Sequence, residues 1–335
     1  MISRRRFVSG LAAAATSSVV GALPPRVSAE PPPETTRVRL IQVPSICRSP
    51  QYVAESLLRA EGFTEVRYVR KEGSADVALT LASGEVDISM GFVGPLIMAV
   101  DAGDPITFLS GGHVGCFELV ATDRIRAIHD LKGKRIAIPS WDRHSSQHTF
   151  LASMVAYVGL DPRKDIVWAP VPWPEAMGAL AEGGIDALLA LPPEPQELRA
   201  RKIGHVVVNG GADRPWSQYF CCLLAGNRDF VRKHPVATKR AVRAILKATD
   251  VCALEPERVA DLLVEKGFAA RRDYALQAMK DIPYAKWRLY DPEDTIRFYT
   301  LRLHEAGLVK SSPKKLIAQG TDWRFLNELK KELKG

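Results

Sequence analysis

The sequence is poor in cysteine and in aromatic residues: its 335 residues include five cysteines and 7% Phe, Trp and Tyr. An odd number of cysteines without a short repeated spacing is not a disulfide framework and does not match a zinc-finger pattern. One disulfide is possible in an oxidising compartment. We expect most of the cysteines to be small, buried, apolar side chains. The cysteines are Cys47, Cys116, Cys221, Cys222 and Cys252.

Dense basic runs are also missing after the first thirty residues, as is any interleaving of basic and aromatic side chains. The formal net charge is +8, and residues 1–29 contribute four arginines and no acid, so the remainder carries +4. This mild excess does not indicate nucleic-acid binding.

The first 29 residues are typical of an export signal. An arginine pair precedes Phe7, an alanine-rich apolar stretch runs to Leu23, and small residues end at Ala29. This order predicts a twin-arginine (Tat) signal peptide over 1–29, a mature chain from about Glu30 and a periplasmic location. A membrane anchor is the alternative, but the stretch is short and rich in Ala, Gly and Ser. Since no cysteine lies near the cleavage point, we expect no lipid anchor.

From Arg37 onward, strand-like and helix-like segments alternate with short links, which predicts an α/β fold with a parallel sheet covered on both faces. The predicted strands are 38–43, 66–69 and 86–90, and the predicted helices begin near Pro50, Ser74 and Pro95.

The same order of motifs then recurs. IQVPS (41–45) resembles IAIPS (136–140), and LASGEVD (81–87) resembles LAEGGID (180–186). The interval from Ser45 to Leu81 is nearly equal to that from Ser140 to Leu180. A proline that could open a helix follows the second motif of each repeat, Pro95 in the first and Pro195 in the second. We interpret this as two α/β lobes of similar plan, although any chain of alternating strands and helices produces some such matches.

Several motifs together resemble the periplasmic solute-binding proteins of nitrate/sulfonate/taurine-type ABC importers (NMT1/THI5-like, SsuA/TauA-like). They are related to binders of thiamine-pyrimidine precursors. The resemblance extends from about Arg37 to Val208, and the helical C-terminal part fits loosely. The motifs are VP…SPQYVA (43–54), LASGEVDI (81–88), DLKGKRIAIP (130–139) and GLDP (159–162).

The resemblance implies a two-lobed periplasmic binding protein-like fold of type II, with the ligand cleft between the lobes. Two crossing segments are expected near 117–122 and 216–226. Lobe one would be 37–120 plus 221–335, and lobe two 121–220. The pattern after Arg228 predicts helices at 231–253, 256–266, 274–279, 292–306 and 322–334.

Ligands of open α/β sheets bind at the carboxyl ends of the strands, and domain interfaces are favoured pocket sites. We therefore take the candidate ligand-binding residues from the turns after predicted strands and from the crossings. They are Arg48, Ser49, Gln51, Tyr52, Phe92, Val93, Gly94, His113, Trp141, Arg143, Ser145, Ser146, Gln147, Glu194 and Trp216.

Two of these residues suggest the charge of the ligand. Arg48 and Arg143 stand on matching loops of the two repeats, and a guanidinium can form a fork with a carboxylate or sulfonate. The loop at 141–147 also leads into a helix whose amino end favours an anion. Ordinary N-capping by Asp142 or Ser145, with Arg143 in solvent, is the competing interpretation. Glu194, if it faces the cleft, would instead indicate an amine or hydroxyl on the ligand.

Catalysis finds little support in the sequence. Asp142, His144 and the serines nearby lie within one short loop, where a triad geometry is rarely met, and no G-x-S-x-G elbow is present. His144 and His148 could share a metal on a helix, but no third ligand is near, so we predict no metal and no cofactor. Some cytosolic relatives implied by the resemblance are enzymes with a cysteine cluster, which Cys221-Cys222 alone does not match.

The resemblance implies a substrate-binding component of an ABC importer that takes a small organic anion and delivers it to a membrane permease driven by an ATPase. We expect a monomer. A binder of a neutral pyrimidine-like heterocycle and a secreted enzyme on the same scaffold remain the alternatives.

Overall fold

A computed structural model describes residues 30–71, 77–141, 145–173 and 175–333. The predicted signal peptide, the start of the helix predicted from Ser74 and the loop residues 142–144 lie outside the described residues. Residues 32–335 form one compact unit. Among the described residues, no helix is long and apolar enough to cross a membrane.

The described strands lie in the first two-thirds of the chain. They are β1 (Arg37–Gln42), β2 (Glu65–Arg70), β3 (Ile88–Phe92), β4 (Ile106–Val114), β5 (Glu118–Ala121), β6 (Arg135–Ile138), β7 (Val167–Pro170), β8 (Ala187–Ala190), β9 (His205–Asn209) and β10 (Phe220–Asn227).

The helices fall between the strands and then follow β10 without interruption. They are α1 (Ser49–Val53), α2 (Glu55–Ala60), α3 (Val77–Ala82), α4 (Val93–Ala102), α5 (Ser146–Tyr157), α6 (Glu175–Ala181), α7 (Glu194–Arg201), α8 (Arg228–Lys233), α9 (Pro235–Leu254), α10 (Pro256–Glu265), α11 (Arg272–Asp281), α12 (Pro292–Glu305), α13 (Pro313–Gly320) and α14 (Arg324–Glu332). Short 3-10 segments occupy Ile46–Arg48, Ile128–Leu131, Trp216–Gln218 and Tyr284–Arg288.

Three sheets organise the compact unit. β1 pairs with β2, the order of the second sheet is β3-β10-β4, and that of the third is β7-β6-β8-β5-β9. β1–β2, β6–β7 and β6–β8 are parallel, whereas β10 is antiparallel to β3 and β4, and β5 is antiparallel to β8 and β9. The predicted parallel pairing therefore holds for β1, β2, β6 and β7 and for β8 beside β6, whereas β5 and β10 are antiparallel to their neighbours. These strands belong to the two predicted crossing segments, and each runs against the strands beside it.

The aspartates that end the two LASGEVD-like motifs make equivalent hydrogen bonds. The Asp87 carboxylate accepts the backbone N–H of Arg39 at 2.7 Å, and the Asp186 carboxylate accepts that of Arg135 at 2.9 Å. The backbone N–H groups of both aspartates donate to the carbonyls of the same two arginines. Each aspartate thus ties the end of its motif to the strand that opens the repeat, which supports the interpretation of a repeated plan.

The C-terminal helices pack against α1 of the first repeat and against α5 of the second. Tyr52 of α1 stacks on Phe268, which follows α10, with ring centroids 3.9 Å apart. On the other side, Phe150 of α5 contacts Tyr299 of α12. Small buried alanines, among them Ala152 and Ala306, line the same meeting of α5 with the end of α12.

Candidate functional site

Arg48 closes the turn that follows β1. The 3-10 segment Ile46–Arg48 leads directly into α1, and this tight path draws the guanidinium inward, so that the residue is only 6% exposed. The guanidinium lies over the Phe92 ring, 5.5 Å from its centroid. Its Nε has no hydrogen-bond partner among the described residues, and none of their carboxylates forms an ion pair with it. The Tyr52 hydroxyl and the Phe92 ring offset part of the cost of burying this cation, and an anion at Nε would offset more of it.

The neighbours of Arg48 in this turn serve the fold. The Ser49 hydroxyl donates to the Ile46 carbonyl at 2.6 Å, and the Tyr52 hydroxyl donates to the Val43 carbonyl. Burial raises the pKa of Tyr52, an effect that the charge of Arg48 opposes. The side chains of Ser49 and Tyr52 are therefore engaged within the chain.

Gln51 is a connector between strands. It is fully buried, its Nε2 donates to the Ile41 carbonyl at 2.7 Å, and its Oε1 accepts the backbone N–H of Met90 at 2.8 Å. The Ser89 hydroxyl donates to the same oxygen at 3.1 Å. Both polar atoms of the amide are thus bonded to β1 and β3.

The end of β3 meets the beginning of α5. Val93 and Gly94 are buried at the start of α4, and a Cβ built on Gly94 would lie 2.4 Å from the Thr149 hydroxyl oxygen. Phe92 contacts Phe150 edge-on, with centroids 6.0 Å apart. The end of β3 and the start of α4 are consequently in direct contact with the first turns of α5.

The amino end of α5 carries polar groups, as the sequence predicts. Ser145 is the N-cap and accepts the backbone N–H of His148, while the Ser146 hydroxyl donates to Gln147 Oε1 at 3.0 Å. Trp141 is 68% exposed. Arg143 lies outside the described residues, so its role remains a sequence-based prediction.

A pocket that is partly open to solvent lies at the carboxyl ends of β6, β7 and β8. Gln147 and Glu194, two of the predicted residues, both line it, together with Pro139, Trp173 and Leu189. The position agrees with the general rule that ligands of α/β sheets bind outside the carboxyl ends of the strands.

Glu194 contributes an unusual carboxyl group to this cavity. Burial raises its pKa to about 8, although the backbone N–H of Leu191, 2.8 Å from Oε2, favours the charged form. The nearby charge of Glu197 adds to the increase. At neutral pH the group is therefore mostly protonated, and a neutral carboxyl beside a ligand can donate a hydrogen bond without repelling an anion.

Trp216 and His113 are both in the interior. Trp216 is 2% exposed, and its ring contacts Phe117 and Phe298 edge-on. His113 is fully buried in β4, with its Nε2 2.9 Å from the Cys47 carbonyl oxygen. Neither side chain faces a surface that a solute could reach in this conformation.

The structure also brings together residues whose spacing carries no sequence signal. Ligand atoms of His113, Cys116, Cys221 and Cys222 all lie within 4.8 Å of one another, and the four residues are buried. Burial raises the pKa of the Cys222 thiol. Hydrogen bonds from three neighbouring thiols and the charge of His113 have the larger opposite effect, so the pKa lies well below its ordinary value. Burial lowers the pKa of His113, but the charge of Cys222 and the hydrogen bonds to Cys222 and to the carbonyls of Cys47 and Val114 together raise it above its ordinary value. All five cysteines are free thiols.

Solved structures with this arrangement of sheets and helices are periplasmic binding proteins for the most part. The nitrate-binding protein NrtA from Synechocystis PCC 6803 is similar at a TM-score of 0.73 and 15% identity, over 91% of this chain and 90% of that one. The alkanesulfonate-binding protein SsuA from Xanthomonas axonopodis pv. citri, bound to MOPS, gives a TM-score of 0.67 and 17% identity over 88% and 100%. The desulfurization enzyme DszB gives 0.63 and 16% over 88% and 99%.

The chain therefore has the two-lobed α/β fold of periplasmic binding proteins, as the resemblance implied. It belongs to the NMT1-like family, whose profile matches residues 31–264. No curated protein matches the sequence. Since binding proteins and an enzyme share this fold, the fold by itself does not decide between binding and catalysis.

Proposed function

We propose that this protein is the periplasmic substrate-binding component of an ABC importer and that it binds a small organic anion, a sulfonate or a carboxylate, between two lobes. The similar proteins NrtA and SsuA are named for nitrate and alkanesulfonate binding, and SsuA is bound to MOPS. Anion binding is therefore a property that this fold accommodates.

Arg48 carries the proposal. Its side chain is buried against Phe92, and its Nε is unbonded among the described residues. A carboxylate or sulfonate oxygen could accept from this nitrogen, and charge-assisted bonds of this kind are about twice as strong as neutral ones. A neutral heterocycle would offset less of the cost of this buried charge than an anion would, so the anion is favoured over a pyrimidine-like ligand.

The amino end of α5 supplies the facing side of the proposed site. Phe150 touches Phe92, which lies beneath Arg48, and Gln147 is one turn earlier on the same helix and lines the cavity. Backbone N–H groups at a helix amino end favour a negative charge. The ligand would thus lie between Arg48 and the first turn of α5.

The proposed lobes are 37–120 plus 221–335 and 121–220. β1–β4 and β10 would form the sheets of lobe one, and β6–β9 would belong to lobe two. The first boundary falls inside β5, which pairs along its whole length with β8.

Closure by a hinge motion would bury the ligand, and the closed form would dock on a permease driven by an ATPase. Delivery to that permease requires the predicted export through residues 1–29.

Binding measurements on Arg48 variants test the ligand class. We expect the mature protein to bind alkanesulfonates or small carboxylates and to bind neutral pyrimidines weakly, as measured by titration calorimetry. Arg48→Ala should lower the affinity for the anion by about 10- to 1,000-fold, since it removes charge-assisted bonds worth about 1.5–3 kcal/mol or more. Arg48→Lys should retain part of the affinity, because it keeps the charge and loses the fork.

Arg232→Ala is the matched control. Arg232 is an exposed arginine of α8 that pairs with Asp229, so its loss should leave both folding and binding unchanged. An unchanged anion affinity in Arg48→Ala, or tight binding of a neutral heterocycle by both proteins, contradicts the proposal. Turnover of a bound ligand would favour the enzyme alternative. Arg143→Ala tests the sequence-based prediction for the opposite loop in the same assay.

A further inference from the structure

We infer that His113, Cys116, Cys221 and Cys222 form a tetrahedral site for Zn²⁺ in the interior of the protein, apart from the proposed anion site. The four potential ligand atoms are three thiol sulfurs and one imidazole nitrogen, all within 4.8 Å of one another. Three cysteines and one histidine are a common ligand set of structural zinc sites.

The distances between these atoms approach those of a zinc tetrahedron. With Zn–S bonds of about 2.3 Å and Zn–N bonds of about 2.0 Å, the sulfurs should be about 3.8 Å apart and sulfur and nitrogen about 3.5 Å. The observed distance from Cys221 Sγ to Cys222 Sγ is 3.8 Å, and that from Cys221 Sγ to His113 Nδ1 is 3.4 Å. Cys116 Sγ lies 2.9 Å from Cys221 Sγ, so the Cys116 thiol would have to withdraw by about 1 Å to complete the tetrahedron.

The orientation of His113 suits ligation through Nδ1. Its Nε2 is 2.9 Å from the Cys47 carbonyl oxygen, a bond in which the ring nitrogen must donate. A proton on Nε2 leaves a lone pair on Nδ1, which lies 3.4 Å from Cys221 Sγ and also 3.4 Å from the Val114 carbonyl oxygen. Histidine ligands are commonly held in this way by a backbone carbonyl behind the ring.

Two irregularities of the backbone direct the cysteines to one point. Neighbouring residues of a strand normally point to opposite faces, yet the sulfurs of Cys221 and Cys222 are close, and the β10–β4 ladder shifts its register on both sides of Cys222. Cys116 has a φ of +115°, a value that side chains rarely adopt. Strained residues of this kind tend to cluster at functional sites.

The ligands come from three parts of the chain, which would make the metal a crosslink. His113 lies in β4, Cys116 follows it, and Cys221 and Cys222 open β10. A zinc ion would fasten β4, the start of the first crossing and the return crossing to each other. The inference does not rest on the proposed transport role. His113 is a candidate ligand-binding residue from the sequence, but it is fully buried in β4, and the anion is proposed to lie between Arg48 and the first turn of α5.

Zinc content after refolding tests the site. The full mature chain is unfolded with a chelator under reducing conditions, refolded with Zn²⁺ and freed of loosely bound metal by gel filtration. We expect about one zinc per chain by elemental analysis and a higher Tm than for protein refolded without metal. Co²⁺ in place of Zn²⁺ should give the intense absorption of thiolate-to-cobalt charge transfer.

Cysteine variants locate the site. Cys252→Ser is the matched control, because Cys252 is a buried cysteine that is not part of the group. It should keep the zinc, the Tm increase and the cobalt spectrum. Cys222→Ser and Cys116→Ser should each lower the zinc affinity at least about tenfold and weaken the charge-transfer band. Cys116 is the least buried of the group, at 9% exposed, so its variant serves if Cys222→Ser does not fold.

Three results would overturn the inference: refolded protein without zinc, zinc retained equally by the Cys116, Cys222 and Cys252 variants, or a cobalt complex without a thiolate band. A disulfide between Cys116 and Cys221 that forms even when Zn²⁺ is present during refolding would also overturn it. Loss of anion binding with zinc binding intact would count against the proposed function alone.

Discussion

Glu194 shows how burial can change the chemical character of a single residue. Its carboxyl group is drawn into the cavity at the ends of β6, β7 and β8, and the lost hydration raises its pKa to about 8. The sequence suggested that a charge here would oppose an anion. The protonated form removes that conflict, because a neutral carboxyl at neutral pH can donate to an anionic ligand.

The raised pKa of Glu194 makes stability depend on pH. Between its ordinary value of 4.5 and about 8, the folded protein holds a proton that the unfolded chain releases. Stability therefore falls as the pH rises through this window, by up to about 5 kcal/mol. Glu194→Gln should remove most of this loss, so that the variant gains on the wild type between pH 5 and about pH 9. Urea unfolding of both proteins at several pH values measures the difference, and parallel pH profiles would contradict the prediction.

At the level of strands and helices, the two aspartates that end the repeated motifs offer a comparison. Asp87 is 4% exposed and receives the backbone N–H and the guanidinium of Arg39, whereas Asp186 receives the backbone N–H of Arg135 in a more open position. Asp87→Ala should cost about 2–4 kcal/mol of unfolding free energy, and Asp186→Ala about 1 kcal/mol. Chemical denaturation measures both values. Equal costs, or a larger one for Asp186, would show that burial does not set the difference.

Most of these elements could be predicted because their signals are local. Pro50 and Pro292 stand in the first turns of α1 and α12, as expected from helix chemistry. The helix predicted over 231–253 is two helices, α8 and α9, because His234 and Pro235 interrupt the backbone pattern. The antiparallel strands β5 and β10 were beyond prediction, since strand direction depends on which distant strand receives the segment.

In the candidate site, too, features set by local sequence could be predicted and features set by distant contacts could not. Loops after strands could be located from the repeated motifs, and Gln147 and Glu194 indeed line one cavity. Side-chain direction could not be predicted: Gln51 and Trp216 point into the interior, and Arg48 is buried. The thiol and imidazole group had no sequence signal at all, because Cys116 and Cys221 are adjacent only after β4 and β10 pair.

At the scale of the whole molecule, the contact between Gly94 and Thr149 joins the start of α4 to α5. Gly94→Ala would place a methyl group 2.4 Å from the Thr149 hydroxyl, so the turns must separate. We expect an anion affinity about tenfold weaker and a larger radius of gyration with ligand, as measured by calorimetry and small-angle scattering, because each 1.4 kcal/mol of closure energy is tenfold in binding.

A matched glycine provides the control for that experiment. A Cβ on Gly178 of α6 meets nothing within 4 Å, so Gly178→Ala should bind normally and be slightly more stable. Adding Thr149→Gly to Gly94→Ala should restore part of the affinity by removing the clashing side chain. If Gly94→Ala binds as well as Gly178→Ala does, the contact does not limit closure.

The meeting of α5 with α12 has a mechanical consequence. If lobe two turns against lobe one, Ala152 and Ala156 of α5 must move over Ala306 at the end of α12, where the contact surface is small and smooth. Arg163 also approaches Gly307 there, at 2.6 Å from a Cβ built on that glycine. This seam adjoins both crossing segments, since Phe150 of α5 contacts Phe117 and Tyr157 of α5 contacts Trp216. A seam beside the crossings would move little when the proposed lobes turn about them, so α5 and α12 would stay in contact as the cleft opens.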